Sequence, residues 1–183
     1  MKTLTLSLML AGTMALTGCS DLASLNPFVS DEQATMDPML AGTWTNADGK
    51  DIYWIRKDDN GNGYTIRYVS DSSGVTELKA RLLVEGDVRI LDVTAGDTAP
   101  FQVPVHAVVR VWMQDSTLRF AFLQTDWIKE QARGKLATSN LATAPLGSGV
   151  LITAPGEAVR SFLVKAAADP QAGDEPETLH RVQ

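Results

Sequence analysis

The chain has 183 residues, a formal net charge of −6 and a single cysteine, and this length suits one domain with its own core. Its excess of acids over bases lies in 20–41 and 169–183, whereas acids and bases balance in 42–168, which is neutral overall. A neutral body between acidic ends has no electrostatic footprint for nucleic acid and no attraction for anionic lipid headgroups.

Residues 1–18 have the layout of a secretory signal peptide. Lys2 supplies a positive start, Thr3 to Leu16 carries no charge, and Gly18 is a small residue at the expected cleavage point. A helix of about 16 residues would rise about 24 Å, which is less than the roughly 30 Å of a hydrocarbon core. The stretch therefore favours a cleaved signal over a membrane-spanning helix.

Leu16-Thr17-Gly18-Cys19 resembles the lipobox of bacterial lipoproteins, in which the signal is cleaved directly before the cysteine. The resemblance implies cleavage between Gly18 and Cys19, diacylglycerol on the Cys19 thiol and a third acyl chain on its amine. Several acyl chains anchor a protein stably, at ~0.8 kcal/mol per buried CH₂. Ser20 stands where an aspartate often marks inner-membrane retention, so the resemblance implies the outer membrane, facing the periplasm. The alternative is that Cys19 is an ordinary residue of an ordinary signal.

Residues 19–41 are interpreted as the lipidated cysteine followed by an acidic tether. Two proline-containing dipeptides interrupt this segment, and no hydrophobic period is sustained. Twenty flexible residues would span about 25 Å on average. Alternatively, Leu22, Leu25 and Phe28 form a short turn that lies near the membrane.

Beyond Gly42 the hydrophobic pattern has period two and is interrupted by turn residues about every eight to twelve positions, which is typical of an antiparallel barrel or sandwich. Residues 101–113 carry an apolar side chain at every second position, and one strand of that length favours a barrel. We expect about eight strands, at 43–46, 51–57, 64–70, 76–85, 88–94, 101–113, 117–123 and 150–153.

Two helices interrupt the alternation. The first covers 126–133 and has Thr125 as its N-cap. The second has Thr153 as its cap and ends at Asp169-Pro170. Its apolar face consists of residues at helical spacing, Val159, Phe162, Leu163 and Ala166. Residues 135–149, which contain proline and several glycine and serine residues, are expected to form a loop before the last strand. Residues 169–183 are polar and contain proline, so that we expect a disordered tail.

The body, residues 42–168, resembles the lipocalin-like or calycin barrel. Lipocalins open their first strand with Gly-x-Trp, which Gly42-Thr43-Trp44 matches, and they end with a packed helix. In that family the indole plugs the closed end of the barrel. The resemblance implies a small apolar ligand inside, although a small barrel is equally able to be filled by its own side chains.

The sequence contains no recognisable catalytic constellation. Asp58 to Gly63 matches the opening of a calcium loop, but the twelfth position, which needs a bidentate glutamate, is Val69, so the stretch is better explained as a turn between strands. His106 and His180 are the only histidines, which is too few for a zinc cluster. No nucleophile elbow or phosphate-binding loop occurs. We therefore expect no metal, no cofactor and no enzymatic activity.

One polar patch is a candidate binding surface. His106, Arg110 and Trp112 lie opposite the apolar row of the long strand. The simpler interpretation is a solvent face with Arg110 laid over Trp112. The alternative is a recognition surface for a partner protein or glycan, because exposed tryptophan and arginine are frequent interface anchors.

Together these features predict a non-enzymatic envelope lipoprotein, held to the membrane by acyl chains on Cys19, that binds a small apolar ligand or an envelope protein. A structural or accessory factor of an envelope assembly, with a solid barrel, is the alternative. A periplasmic hydrolase is a third and less favoured hypothesis.

Overall fold

The structure, a computed structural model, describes residues 22–59, 61–71, 74–96, 102–134, 141–147 and 149–182. Leu16 to Cys19 lies outside these residues, so that signal cleavage and acylation stay predictions. The strands are β1 (Leu22–Ser24), β2 (Gly42–Thr45), β3 (Ile52–Lys57), β4 (Tyr64–Ser70), β5 (Gly74–Glu85), β6 (Val88–Ala95), β7 (His106–Gln114), β8 (Thr117–Phe122), β9 (Thr143–Leu146), β10 (Gly149–Ile152) and β11 (Glu177–Arg181). The helices are α1 (Thr125–Gly134) and α2 (Gly156–Ala168). Neither of these two helices is long and apolar enough to cross a membrane.

Eight of these strands close into an antiparallel barrel. Around the barrel the order is β2, β3, β4, β5, β6, β7, β8 and β11, and the pairing of β11 with both β8 and β2 completes the ring. Closure removes the unpaired strand edges that an open sheet would present. The predicted antiparallel barrel of about eight strands with two short helices is confirmed.

The prediction of a disordered tail at 169–183 is wrong. β11 lies within this segment, and Leu179 points into the barrel with only 2% of its surface exposed. The segment is polar, and because only Leu179 faces the barrel interior, its sequence shows almost no alternation of apolar and polar residues. The strand forms because the facing edges of β8 and β2 supply its hydrogen-bond partners.

The prediction of a tether at 19–41 is also wrong for the described residues from Leu22 onward. β1 pairs with β7 on one side and runs parallel to β10 on the other. Phe28 and Val29 are then buried on the outer wall of the barrel, and Thr35 bridges to Leu82 of β5. The segment therefore wraps the barrel as part of the domain.

Two hydrophobic cores result, one inside the barrel and one outside it. The outer core lies between the wall formed by β6 and β7 and a layer that contains α2 and the N-terminal segment. The predicted face of α2 is buried there through Val159, Leu163 and Ala166, while Phe162 is half-buried. This layer buries the outward-facing Ile90 and Val108, so that the wall is apolar on both faces at these positions.

Three local predictions differ from the structure. β7 is shorter than the predicted strand at 101–113, because Gln102 to Val105 lies outside any strand and Phe101 is outside the described residues. Thr153 does not cap α2, which begins directly after Pro155 without a side-chain cap. β9 forms in the glycine- and proline-containing stretch 135–149, which suggested a loop, because β10 pairs with it.

One end of the barrel is closed around Trp44. Its indole is fully buried, and Nε1 donates a hydrogen bond to the Leu40 carbonyl at 3.0 Å. The Arg181 guanidinium lies 4.3 Å from the ring centre and donates to the carbonyl oxygens of Ala41 (2.9 Å) and Met39. Gly42 has φ +151°, a backbone conformation that residues with a Cβ atom rarely adopt, and a Cβ atom here would also displace the end of the Arg181 side chain. Glycine is therefore required at this position.

Candidate functional site

The structure separates the three residues of the predicted binding patch. His106 is only 8% exposed, and its Nδ1 lies 2.6 Å from Oδ1 of Asp92. It is buried because the N-terminal segment pairs with β7 here, with Ser24 opposite His106. His106 is consequently unable to serve as part of an exposed recognition surface.

The carboxylate of Asp92 joins the N-terminal segment to the barrel wall. Asp92 is 3% exposed, and its Oδ2 accepts hydrogen bonds from the backbone N–H groups of Phe28 (2.9 Å) and Val29 (3.1 Å). Ser24 lies opposite His106 in the β1–β7 register, but its hydroxyl donates to the Asn26 carbonyl at 2.6 Å. The hydroxyl is fully buried as well. Ser24, His106 and Asp92 therefore lie close together, but their hydrogen bonds hold the N-terminal segment against the barrel, and the Ser24 hydroxyl is not accessible as a nucleophile.

Arg110 and Trp112 form a half-buried stack on the outer face of β7. The guanidinium carbon of Arg110 lies 4.5 Å from the centre of the Trp112 ring, and that of Arg119 lies 5.7 Å from it. Burial lowers the pKa of the Arg110 guanidinium, and its Nε is buried without a hydrogen-bond partner among the described residues. Two guanidinium groups therefore lie close to this indole, as expected of a surface stack of Arg110 on Trp112.

The interior of the barrel is filled by its own side chains. Trp44 and Tyr64 are at most 1% exposed, and the aliphatic residues around them are at most 7% exposed. A cavity wide enough for a ligand would leave the side chains that line it exposed to its space. The aliphatic members of this inner core are Leu40, Ile55, Ile66, Ala80, Leu82, Leu91, Val109, Val111, Leu118 and Leu179.

Half-buried aromatic rings lie towards the end of the barrel away from Leu40. Tyr53 stacks on Tyr68 with ring centres 4.7 Å apart, and its centre lies 6.0 Å from that of Phe120. The Tyr68 hydroxyl donates to the Asp51 carboxylate at 2.9 Å. Burial raises the pKa of the Glu177 carboxyl, and the negative charge of Asp51 raises it further. The cluster supplies apolar surface at the rim of the barrel.

An open groove of about 670 Å³ lies on the outer face of β2, β3 and β4. The register places Trp54 of β3 between Thr43 of β2 and Arg67 of β4. Trp54 is 38% exposed, and the Arg67 guanidinium carbon lies 5.9 Å from its ring centre. Arg56 and Lys57 line the same groove and are exposed. In the sequence, Trp54 and Arg56 occupy alternate positions of one strand and therefore share its outer face. Only the pairing of β3 with β4 brings Arg67 next to Trp54.

The calcium-like stretch 58–63 makes a turn between β3 and β4. The Asp58 N–H donates to the Gly63 carbonyl at 2.9 Å, which closes the turn. Asn60 lies outside the described residues. Within the described part of the chain, no group of three or more histidine, cysteine, aspartate or glutamate side chains is arranged to hold a metal ion.

Comparison with known proteins gives no match to a family model, a curated protein or a solved structure. The assignment of a function therefore rests on the geometry of this chain.

Proposed function

We propose that this chain is a non-enzymatic lipoprotein of a bacterial envelope, and that it acts through the outer surface of a solid barrel. The packed interior carries the proposal, because side chains that are almost fully buried leave no internal space for a small apolar ligand. Of the three functions that the sequence analysis considered, the accessory factor is therefore favoured over the carrier of a small ligand. The buried arrangement of Asp92 and His106 gives no support to a hydrolase.

The lipobox resemblance supports a lipid anchor on Cys19, in the outer membrane and facing the periplasm. Only Ser20 and Asp21 separate Cys19 from Leu22, which is buried in the domain. Three Cα–Cα steps reach at most about 11 Å even when fully extended. An anchored barrel would therefore rest close to the bilayer with the β1 side towards it.

Native mass spectrometry tests the solid barrel. A form that starts at Ser20 and is exported with a cleavable signal should appear at the mass of the chain alone. A retained small molecule of defined mass, lost on unfolding, would show that the interior is hollow and would overturn the accessory role.

Membrane fractionation tests the anchor. Cys19→Ala should move the protein out of membranes that have been washed at high salt, and the wild-type protein should co-sediment with the outer membrane on a density gradient. Retention of the variant in washed membranes would show that acylation of Cys19 is not the anchor.

A further inference from the structure

The groove over Trp54 concentrates positive charge. Arg56, Lys57 and Arg67 line it, and no carboxylate is among its lining residues. None of the three has an ion pair with a described residue, although the chain as a whole is acidic. Elsewhere on the described surface, five cations each have a carboxylate oxygen between 2.5 and 3.9 Å away, and these are Lys50, Arg81, Arg89, Lys129 and Arg160.

The groove also offers apolar surface. The apolar side chains of this lining are those of Trp54, which is exposed, and Ala41, which is half-buried, because the Ile55 side chain packs in the inner core. Tryptophan and arginine are the residues that most often dominate binding energy at protein interfaces. This apolar floor, formed by Trp54 and Ala41 with Arg56, Lys57 and Arg67 beside it, is complementary to a segment that carries apolar and acidic groups together.

We propose that this groove binds a carboxylate-bearing peptide segment of a partner protein. The proposal rests on the proposed function, in which the barrel acts through its outer surface. An acidic glycan fits less well, because its many hydroxyls would lose water against the apolar floor without gaining hydrogen-bond partners. Recognition uses side chains, because β3 and β4 are paired on both edges and leave no free edge for an added strand.

The position of the groove suits a partner that approaches from the periplasm. β3 is four strands away from β7 in either direction around the barrel, and β7 is the strand to which β1 is attached. The groove therefore faces away from the side on which the chain reaches Cys19. An anchored molecule would present it to the aqueous space.

Selection from a random dodecapeptide display library tests the proposal on the detergent-solubilised full-length protein. We expect enrichment of sequences that combine aspartate or glutamate with apolar residues. This enrichment should disappear when the library is selected on the Arg56→Ala/Arg67→Ala double variant or on Trp54→Ala. Arg119→Ala is the matched control, because it removes an exposed arginine beside another tryptophan of the barrel, and it should keep the enrichment.

Fluorescence polarisation of one selected peptide then measures the contribution of each cation. Arg56→Ala and Arg67→Ala should each weaken binding by about tenfold, and added salt should weaken binding to the wild type. No acidic enrichment, or an equal loss in Arg119→Ala, overturns the proposal. Stronger competition by polygalacturonate than by the unlabelled peptide would assign the groove to an acidic glycan and overturn it as well. Failure of these tests leaves the mass-spectrometric and fractionation results untouched, so that the two proposals fail separately.

Discussion

Replacing Asp92 with alanine should detach the N-terminal segment from the barrel wall. The substitution leaves the N–H groups of Phe28 and Val29 buried without the acceptor that they now share at 2.9 and 3.1 Å. Each buried and unsatisfied donor costs about 1–3 kcal/mol, so that the two together cost about 2–6 kcal/mol. The loss of the bond to His106 adds to this. Against a total stability of about 5–15 kcal/mol, such a loss is large.

Equilibrium urea denaturation, followed by tryptophan fluorescence, gives the free energy of unfolding of the wild type and the variant. Hydrogen exchange at the amides of Phe28 and Val29 localises the effect, and exchange there should accelerate more than in β7. Asp87→Ala, at an exposed turn position, is the control and should change stability by less than about 0.5 kcal/mol. Asp92→Asn keeps an oxygen acceptor and should cost less than the alanine variant. A loss below about 1 kcal/mol for Asp92→Ala would refute the reasoning, because such a value fits a solvated carboxylate.

Three further predictions concern the barrel. Gly42→Ala should cost about 1–3 kcal/mol in urea denaturation, because a residue with a side chain is strained at φ +151° and displaces Arg181; an unchanged midpoint would contradict the close approach. Leu179→Ala should lower the free energy of unfolding by about 2–5 kcal/mol, whereas Thr178→Ala, on the exposed face of β11, should lower it far less. Equal and negligible losses in the two variants would mean that β11 is not part of the folded core. Glu177→Gln should raise the Tm at pH 7 and leave it nearly unchanged well below the usual glutamate pKa of about 4.3. The reason is that the pKa of Glu177 is raised in the folded state, so that its contribution to stability falls as the pH rises above the unfolded-state pKa. A larger gain in Tm at acidic pH than at pH 7 would contradict this sign.

The candidate surfaces show which features of this protein can be predicted from its sequence and which cannot. The stacking of Arg110 on Trp112 follows from their spacing on one face of one strand. The burial of His106 does not follow from that spacing, because it is covered by the N-terminal segment, which is distant in sequence. The groove at Trp54 could not be predicted either, because its cations come from two strands whose register no local sequence pattern reveals.

The sequence by itself determined the elements whose signal is local. Alternation of period two marks most strands of the barrel, and the spacing of Val159, Leu163 and Ala166 marks α2, because a side chain's face depends only on its own backbone geometry. Tertiary structure alone decided that the N-terminal segment and β11 belong to the domain. Their contacts join residues that are far apart, such as the bond between Phe28 and Asp92 across 64 positions and that between Arg181 and Ala41 across 140. β11 buries only Leu179 in the barrel, and the buried residues of the N-terminal segment, such as Phe28 and Val29, follow no sustained period. Both segments become ordered because the barrel offers them acceptors and strand edges that their own sequence does not contain.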